Sequence, residues 1–329
     1  MKKHNVYGIG NALVDIEIEV EPQFLDKANI DKGVMTLVDQ DRQTELLEQI
    51  RGLQHSRSCG GSAANTIIAV SQFGGSSFYS CKVANDESGD FYYTDLVENG
   101  VKTNLGSERE NGDTGKCMVF ITPDADRTMN TFLGITSNFS NLELVESEIT
   151  NSEYLYIEGY LVTSPTGKSA AIQAKKIAEE SGVKTSITFS DPGMVTHFKE
   201  GLDEMIGEGV DMLFCNESEA LGFTGKDNVA EAAKELKKIA KAFAITLGPK
   251  GAYLFDGEKE IDVITGQVKA VDTNGAGDLF AGAFLYSITH GHSFGEAGRL
   301  ACAASSKLVT QFGARLQKNQ ATDLLKNLF

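Results

Sequence analysis

Basic residues are in short supply in this chain: 30 Lys and Arg stand against 46 Asp and Glu, a formal net charge of −16 over 329 residues. A surface of that sign repels phosphate backbones and anionic lipid, so neither a nucleic acid nor a membrane surface is expected as a partner. Long apolar runs are missing too. The first twenty residues, MKKHNVYGIGNALVDIEIEV, carry two lysines, but Asn5, Asn11 and Asp15 break their apolar stretches. That pattern fits neither a secretory signal nor a membrane span. The five cysteines, Cys59, Cys81, Cys117, Cys215 and Cys302, are odd in number and widely spaced, with no CxxC pair. A zinc site and a disulfide framework are therefore not expected, and buried thiols in a reduced, cytoplasmic protein are. Prolines number only five, and neither an internal repeat nor a low-complexity tract is visible.

What the chain does have is an ordinary globular composition, 41% hydrophobic and 23% charged, at a length that allows two domains or one large α/β domain with an excursion. Apolar strand-like runs at 6–10, 78–84, 153–161, 185–191, 211–216 and 243–248 alternate with helical patterns at 62–73, 87–99, 166–181, 228–241, 276–290 and 295–311. Such alternation predicts a three-layer α/β/α arrangement around a mostly parallel sheet. Runs such as MLF, AIT and LYI are continuously apolar, as strands covered on both faces should be. Two regions depart from this. VDIEIEV (14–20) alternates apolar and acidic residues and is followed by GVMTLVD (33–39), while 114–123 and 127–134 read as a hairpin around PDAD. Alternating strands have one wet face, so these two segments, about 14–39 and 112–135, are expected to form a small β-sheet lid on a single 1–329 unit.

Several glycine-rich stretches compete for a phosphate. GIGNAL (8–13) begins like a dinucleotide fingerprint but has Leu13 at the sixth position and an alternating strand behind it; SPTGKS (164–169) ends like a P-loop but has Val162 where the motif needs glycine. Both are decoys, and Lys168 is expected in a helix's first turn. DTNGAGD (272–278) runs straight into an apolar helix. Gly275 and Gly277 let a phosphoryl group approach the backbone, the amides of the helix N-terminus would face it, and Asp278 is placed to accept a proton. The competing reading is a simple helix cap. Its company includes CGGSAANT (59–66), with Asn65 one turn into a helix, and FCNESEA (214–220), where Asn216 and Glu219 stand at a strand end but also spell a capping box. ITLGPKGAYLF (245–255) is a strand, a glycine-rich turn and a second strand.

Taken in order, these motifs resemble the ribokinase-like (PfkB) family of carbohydrate and nucleoside kinases, over about residues 6–315. The resemblance implies an ATP-dependent kinase with Mg²⁺, small-molecule substrates, and a monomer or lid-mediated homodimer. It makes Asp278 the base and Gly275, Ala276 and Gly277 the anion hole, with Arg127 a phosphate-facing lid residue. Asn216 and Glu219 would order Mg²⁺ partly through water, and Thr246, Gly248 and Gly251 would form the nucleotide turn. Asn11, Asp15, Gly61 and Asn65 would hold acceptor hydroxyls. Asp272, Asn274 and Gly313 lie in segments that some relatives use for potassium. Within the family, GIGNALVDI, DADRTMNTFLGITSNF and the Asn of DTNGAGD lean toward adenosine kinases, implying phosphorylation of the 5′-hydroxyl of adenosine and a place in purine salvage. Met35, Leu37 and Phe132 are the apolar candidates for the base pocket. Met35, however, stands where animal adenosine kinases usually carry glutamine, and TLGPKGA is closer to the sugar-kinase turn. A kinase of ribose, fructose or a related sugar is the alternative, and a non-catalytic nucleotide-binding protein the alternative from another class.

Overall fold

The structure is a computed structural model that describes residues 2–53, 55–124 and 126–328. In chain order the strands are β1 (His4–Ile9), β2 (Leu13–Glu19), β3 (Met35–Leu37), β4 (His55–Gly60), β5 (Ser77–Ser80), β6 (Lys102–Thr103) and β7 (Thr114–Ile121). They continue with β8 (Arg127–Gly134), β9 (Ser152–Ile157), β10 (Lys184–Thr188), β11 (Val210–Asn216), β12 (Ala240–Thr246), β13 (Ala252–Phe255) and β14 (Glu260–Val263). Among the described residues they form a nine-stranded sheet, ordered β14-β13-β12-β11-β10-β9-β1-β5-β6, and a five-stranded sheet, β3-β8-β7-β2-β4. The larger sheet is parallel from β6 to β12 and turns antiparallel only at β13 and β14.

The continuous apolar character of its strands has the expected cause. Successive side chains point to opposite faces, so Val6, Met212 and Phe214 join one core while Tyr7, Leu213 and Cys215 join the other. Helices Ser62–Gln72, Ala276–Thr289 and Phe294–Leu308 cover the first face; helices Pro165–Glu180, Lys199–Ile206 and Val229–Leu236 cover the second. That is a three-layer ribokinase-like fold. All five cysteines are buried and unpaired. Among the described residues no helix is long and apolar enough to cross a membrane.

Four expectations change. The helix read over 228–241 stops at Leu236, because Ile239 and Ala240 fit an apolar helical face and a buried strand equally well, and β12 pairs Ala240 with Val210. Strand β5 covers only Ser77–Ser80. The second sheet is larger than its two segments: it recruits β4, and helices Pro22–Ala28 and Gln40–Gln49 cover its outer face through Ile16, Ile18, Met118 and Phe120. The acidic face of the alternating strand is wet only toward its end, at Glu19. Asp15 is buried, because that face is turned over the larger sheet's helix N-termini instead of toward solvent.

Candidate active site

A cavity of about 540 Å³ lies between the two sheets. Its floor is where open α/β sheets bind ligands, at the carboxyl ends of parallel strands: Glu158 follows β9, Asp191 follows β10, Asn216 ends β11 and Thr246 ends β12. Two helix N-termini, those of Ser62–Gln72 and Ala276–Thr289, point into it. The second sheet closes it from above with alternate residues: Leu13 and Asp15 of β2, Met35 and Leu37 of β3, and Arg127, Met129, Thr131 and Leu133 of β8.

The glycine loop is held open by its backbone. Gly275 caps the second of these helices at φ 69°, and a Cβ there would lie 2.6 Å from the Ala314 carbonyl oxygen. Only glycine fits. Gly277 and Asp278 follow in the first turn, where a helix leaves its amides without intrahelical acceptors. The Ala276 amide also reaches back to the Thr273 carbonyl at 3.3 Å. Asp278 is half-buried and its carboxylate is wired at both oxygens: Ser62 Oγ donates to Oδ1 at 2.6 Å and Asn65 Nδ2 to Oδ2 at 3.0 Å. Burial pushes its pKa up, while those two donors and the Arg315 guanidinium pull against it.

Other carboxylates share the cavity. Asp15 is pushed up to about 7, first by burial and then by Glu17, against the pull of Arg315 and Arg127. Its carboxylate fills the space a side chain at Gly60 would need. Glu158 is fully buried and is raised to about 7 by burial, although it accepts from the amides of Asn11 (2.6 Å) and Ala63 (2.9 Å). It pins the β1–β2 connection to the start of the helix after Gly61.

Of the expected residues, Asn11, Asp15, Met35, Leu37, Gly61, Asn65, Arg127, Asn216, Glu219, Thr246 and Asn274 through Asp278 all line the cavity. Asn216 and Glu219 also realise the capping box: Asn216 Oδ1 accepts from the Glu219 amide at 2.8 Å, and Glu219 accepts from the Asn216 amide at 2.9 Å. Burial raises Glu219 to about 7. Phe132 does not line this cavity. It alternates with Thr131 and Leu133, so it faces a neighbouring space of about 400 Å³. Gly248 and Gly251 lie in the turn beyond Thr246, outside the lining, and Gly251 (φ 102°) packs against the Val263 carbonyl.

Asp272 and Gly313 also sit behind the cavity wall. Asp272 is buried, and it accepts from the amides of Asn274 and Gly313, both at 2.8 Å, and from the Arg127 guanidinium. A carboxylate facing two N–H groups and a guanidinium is engaged by those donors. Arg127 likewise does not reach into the cavity as a free cation: it bridges β8 to Asp272, with Glu17 3.5 Å away. The sequence reading missed Ser62, Glu158 and Arg315. Ser62 lay inside a quoted motif and Glu158 at the end of an apolar strand, both usable signals; nothing local marks Arg315.

A family model described as pfkB family carbohydrate kinase matches residues 30–321. Over all of both chains the structure superposes on that of a probable sugar kinase protein from Rhizobium etli CFN 42, with a TM-score of 0.92 and 32% identity. On adenosine kinase from Sinorhizobium meliloti the TM-score is 0.91 at 33% identity, over 99% of each chain. The sequence is also 27% identical to adenosine kinase from Dictyostelium discoideum, over 94% of this chain and 96% of that one. With a family match over most of the chain and superpositions that span nearly all of it, the chain belongs to the pfkB family of carbohydrate kinases, and is a phosphotransferase acting on a hydroxyl group of a nucleoside or sugar.

Proposed function

We propose that this kinase transfers the γ-phosphoryl group of ATP to the 5′-hydroxyl of a nucleoside, with adenosine as the first candidate and Asp278 as the general base. One observation carries the reading: Asp278 holds both oxygens on Ser62 and Asn65, in the same first helical turn whose amides open on the cavity. A base and an anion site one residue apart suit in-line attack by a hydroxyl on a phosphate. Phosphoryl transfer asks for positioning and charge neutralisation more than for covalent help. Asp278 would take the hydroxyl proton, and the amides of Gly277 and Asp278 would face the charge on the transferred group.

The apolar wall of Met35, Leu37 and Met129 suits a base better than a free sugar, and two of the relatives above are adenosine kinases. Asp15, Asn11 and Asn65 would grip ribose hydroxyls. A free sugar is the second reading, favoured by the buried carboxylates of Asp15 and Glu158 and by the likeness to a sugar kinase. Kinases of this family generally require Mg²⁺. Among the described residues no cluster of three or more His, Cys, Asp or Glu could hold a metal alone. That suits an ion that keeps waters and rides on the phosphates, with Asn216 and Glu219 reaching it through water. Bound there, it would neutralise phosphate charge.

The test is ADP release by the purified protein with Mg-ATP across adenosine, inosine, guanosine, ribose and fructose. A kcat/KM highest for adenosine supports the proposal. Preference for a free sugar would keep Asp278 in its role and replace the acceptor.

A further inference from the structure

The loop after the helix Phe294–Leu308 has no part in the transfer scheme, yet it meets that scheme at three points. The Gly313 amide donates to Asp272, and the Ala314 carbonyl backs Gly275. Arg315 reaches further. Its nearly buried side chain enters between the helices Ser62–Gln72 and Glu87–Glu98, where each nitrogen of the guanidinium has a different partner. Nε donates to Asn65 Oδ1 at 3.0 Å, Nη1 pairs with Asp95 Oδ2 at 2.6 Å, and Nη2 donates to the Cys59 carbonyl. A planar fork bound at three corners has one orientation.

That orientation sets Asn65. With its amide oxygen accepting from Arg315, its amide nitrogen must face Asp278, where it donates to Oδ2. A flipped amide would set its NH₂ against the guanidinium and its oxygen against the carboxylate, exchanging two hydrogen bonds for two repulsions. Ser62 holds the other carboxylate oxygen. Arg315 itself does not line the main cavity. It lines a separate surface pocket of about 360 Å³ with Asp95, Glu98 and Gln317 among others.

We propose that Arg315 is a positioning residue for phosphoryl transfer: acting through Asn65, it holds Asp278 in the orientation that receives the acceptor's proton, and it touches neither substrate. The proposal rests on the reading of Asp278 as the base. The guanidinium also supplies positive field, which opposes the effect of burial on Asp278 and on Asp15. Asp15, Glu158, Glu219, Tyr156 and Tyr160 feel the charge of Asp278 as well, and Asp15 also feels that of Arg315.

The experiment compares the full-length wild type with Arg315→Gln, Arg315→Lys and Asp95→Asn, measuring kcat against pH, KM for each substrate, and Tm. For Arg315→Gln, kcat is expected to fall ~10–100-fold, the scale of a misplaced reacting group, with the KM for ATP nearly unchanged. Its acid limb should move to higher pH, because Asp278 ionises less readily without the cation. Arg315→Lys keeps the charge but not the fork, so kcat falls while the limb moves less. Asp95→Asn breaks the ion pair and leaves the Asn65 bond, so Tm falls with the limb in place. Guanidinium ion added to Arg315→Ala, entering by the surface pocket, should restore part of kcat.

A folded Arg315→Gln with a wild-type acid limb and kcat overturns the proposal. If that variant does not fold, wild-type kcat in Arg315→Lys overturns it instead. Failure of the underlying reading looks different: Asp278→Asn would then turn over near normally, whereas an inactive Asp278→Asn beside a normal Arg315→Gln sinks only the role of Arg315.

Discussion

The nine-stranded sheet and the five-stranded sheet supply the same cavity by different means. From the larger one come groups at strand ends and helix starts, held by backbone amides or by neighbouring side chains: Asp278 by Ser62 and Asn65, Glu158 by two amides, Glu219 by its cap. From the smaller one come side chains placed by alternation along a strand, Asp15 on β2 and Arg127 on β8, with the outer face sealed by its own helices. The ion pair of Arg127 with Asp272 ties this roof to the glycine loop. On the proposed function, the chemistry that must not move would be built on the floor, and recognition of the acceptor would be shared with a roof anchored through a charge pair.

The largest expected effect tests the floor. Asp278→Asn should lower kcat by ~10²–10⁴, the span of a positioned general base, with ATP binding retained by titration. Turnover within a few-fold of wild type would remove Asp278 from that role. Next comes the tie between the sheets. Asp272→Asn removes one of the two carboxylates beside the buried Arg127 guanidinium, leaving Glu17 at 3.5 Å, and should cost ~1.5–3 kcal/mol in urea unfolding, the worth of a hydrogen bond to a charged group. Adding Arg127→Met should recover part of that loss; strictly additive losses would mean that the two side chains do not act as a pair.

The roof itself is probed by Asp15. Asp15→Ala should raise the acceptor KM ~10–100-fold, the worth of a hydrogen bond to a charged group, and leave the ATP KM alone. The pH dependence has a definite sign. The carboxyl of folded Asp15 sits near 7, above its ordinary 3.8, so the folded state binds the proton more tightly than the unfolded one. Its contribution to stability is full below pH 4 and is lost as pH rises toward 7. Asp15→Asn should therefore raise the Tm of the substrate-free protein at pH 8 and change it little at pH 4; the reverse order would refute the burial argument. The smallest effect is expected at Phe132, where replacement by Ala should leave both KM values within about two-fold, since that ring faces away from the cavity. A ten-fold rise for the acceptor would put Phe132 back in the pocket.

Much of this was legible in the chain because it is local. DTNGAGD, GGSAAN and NESE each combine a turn with a helix start, and the physics of a helix N-terminus acts within one turn. The six main strand and helix pairs followed from periodicity, failing chiefly where Ile239 and Ala240 satisfied two periods at once. Phe132 was misplaced because a period-2 strand needs its register before its faces can be named, and the register is set by pairing with Lys116 on β7.

By itself, then, the sequence determined the alternation of elements, the glycine loop with its aspartate, the acidic surface and the unpaired cysteines, all properties of neighbours along the chain. Only the tertiary structure decided that β4 joins the second sheet, that Asp272 is spent on Arg127, and that Arg315 stands behind Asn65 across 250 residues of sequence. Those facts depend on which distant segments share a buried space, where an unpartnered charge is too costly to leave alone. No local pattern records that choice.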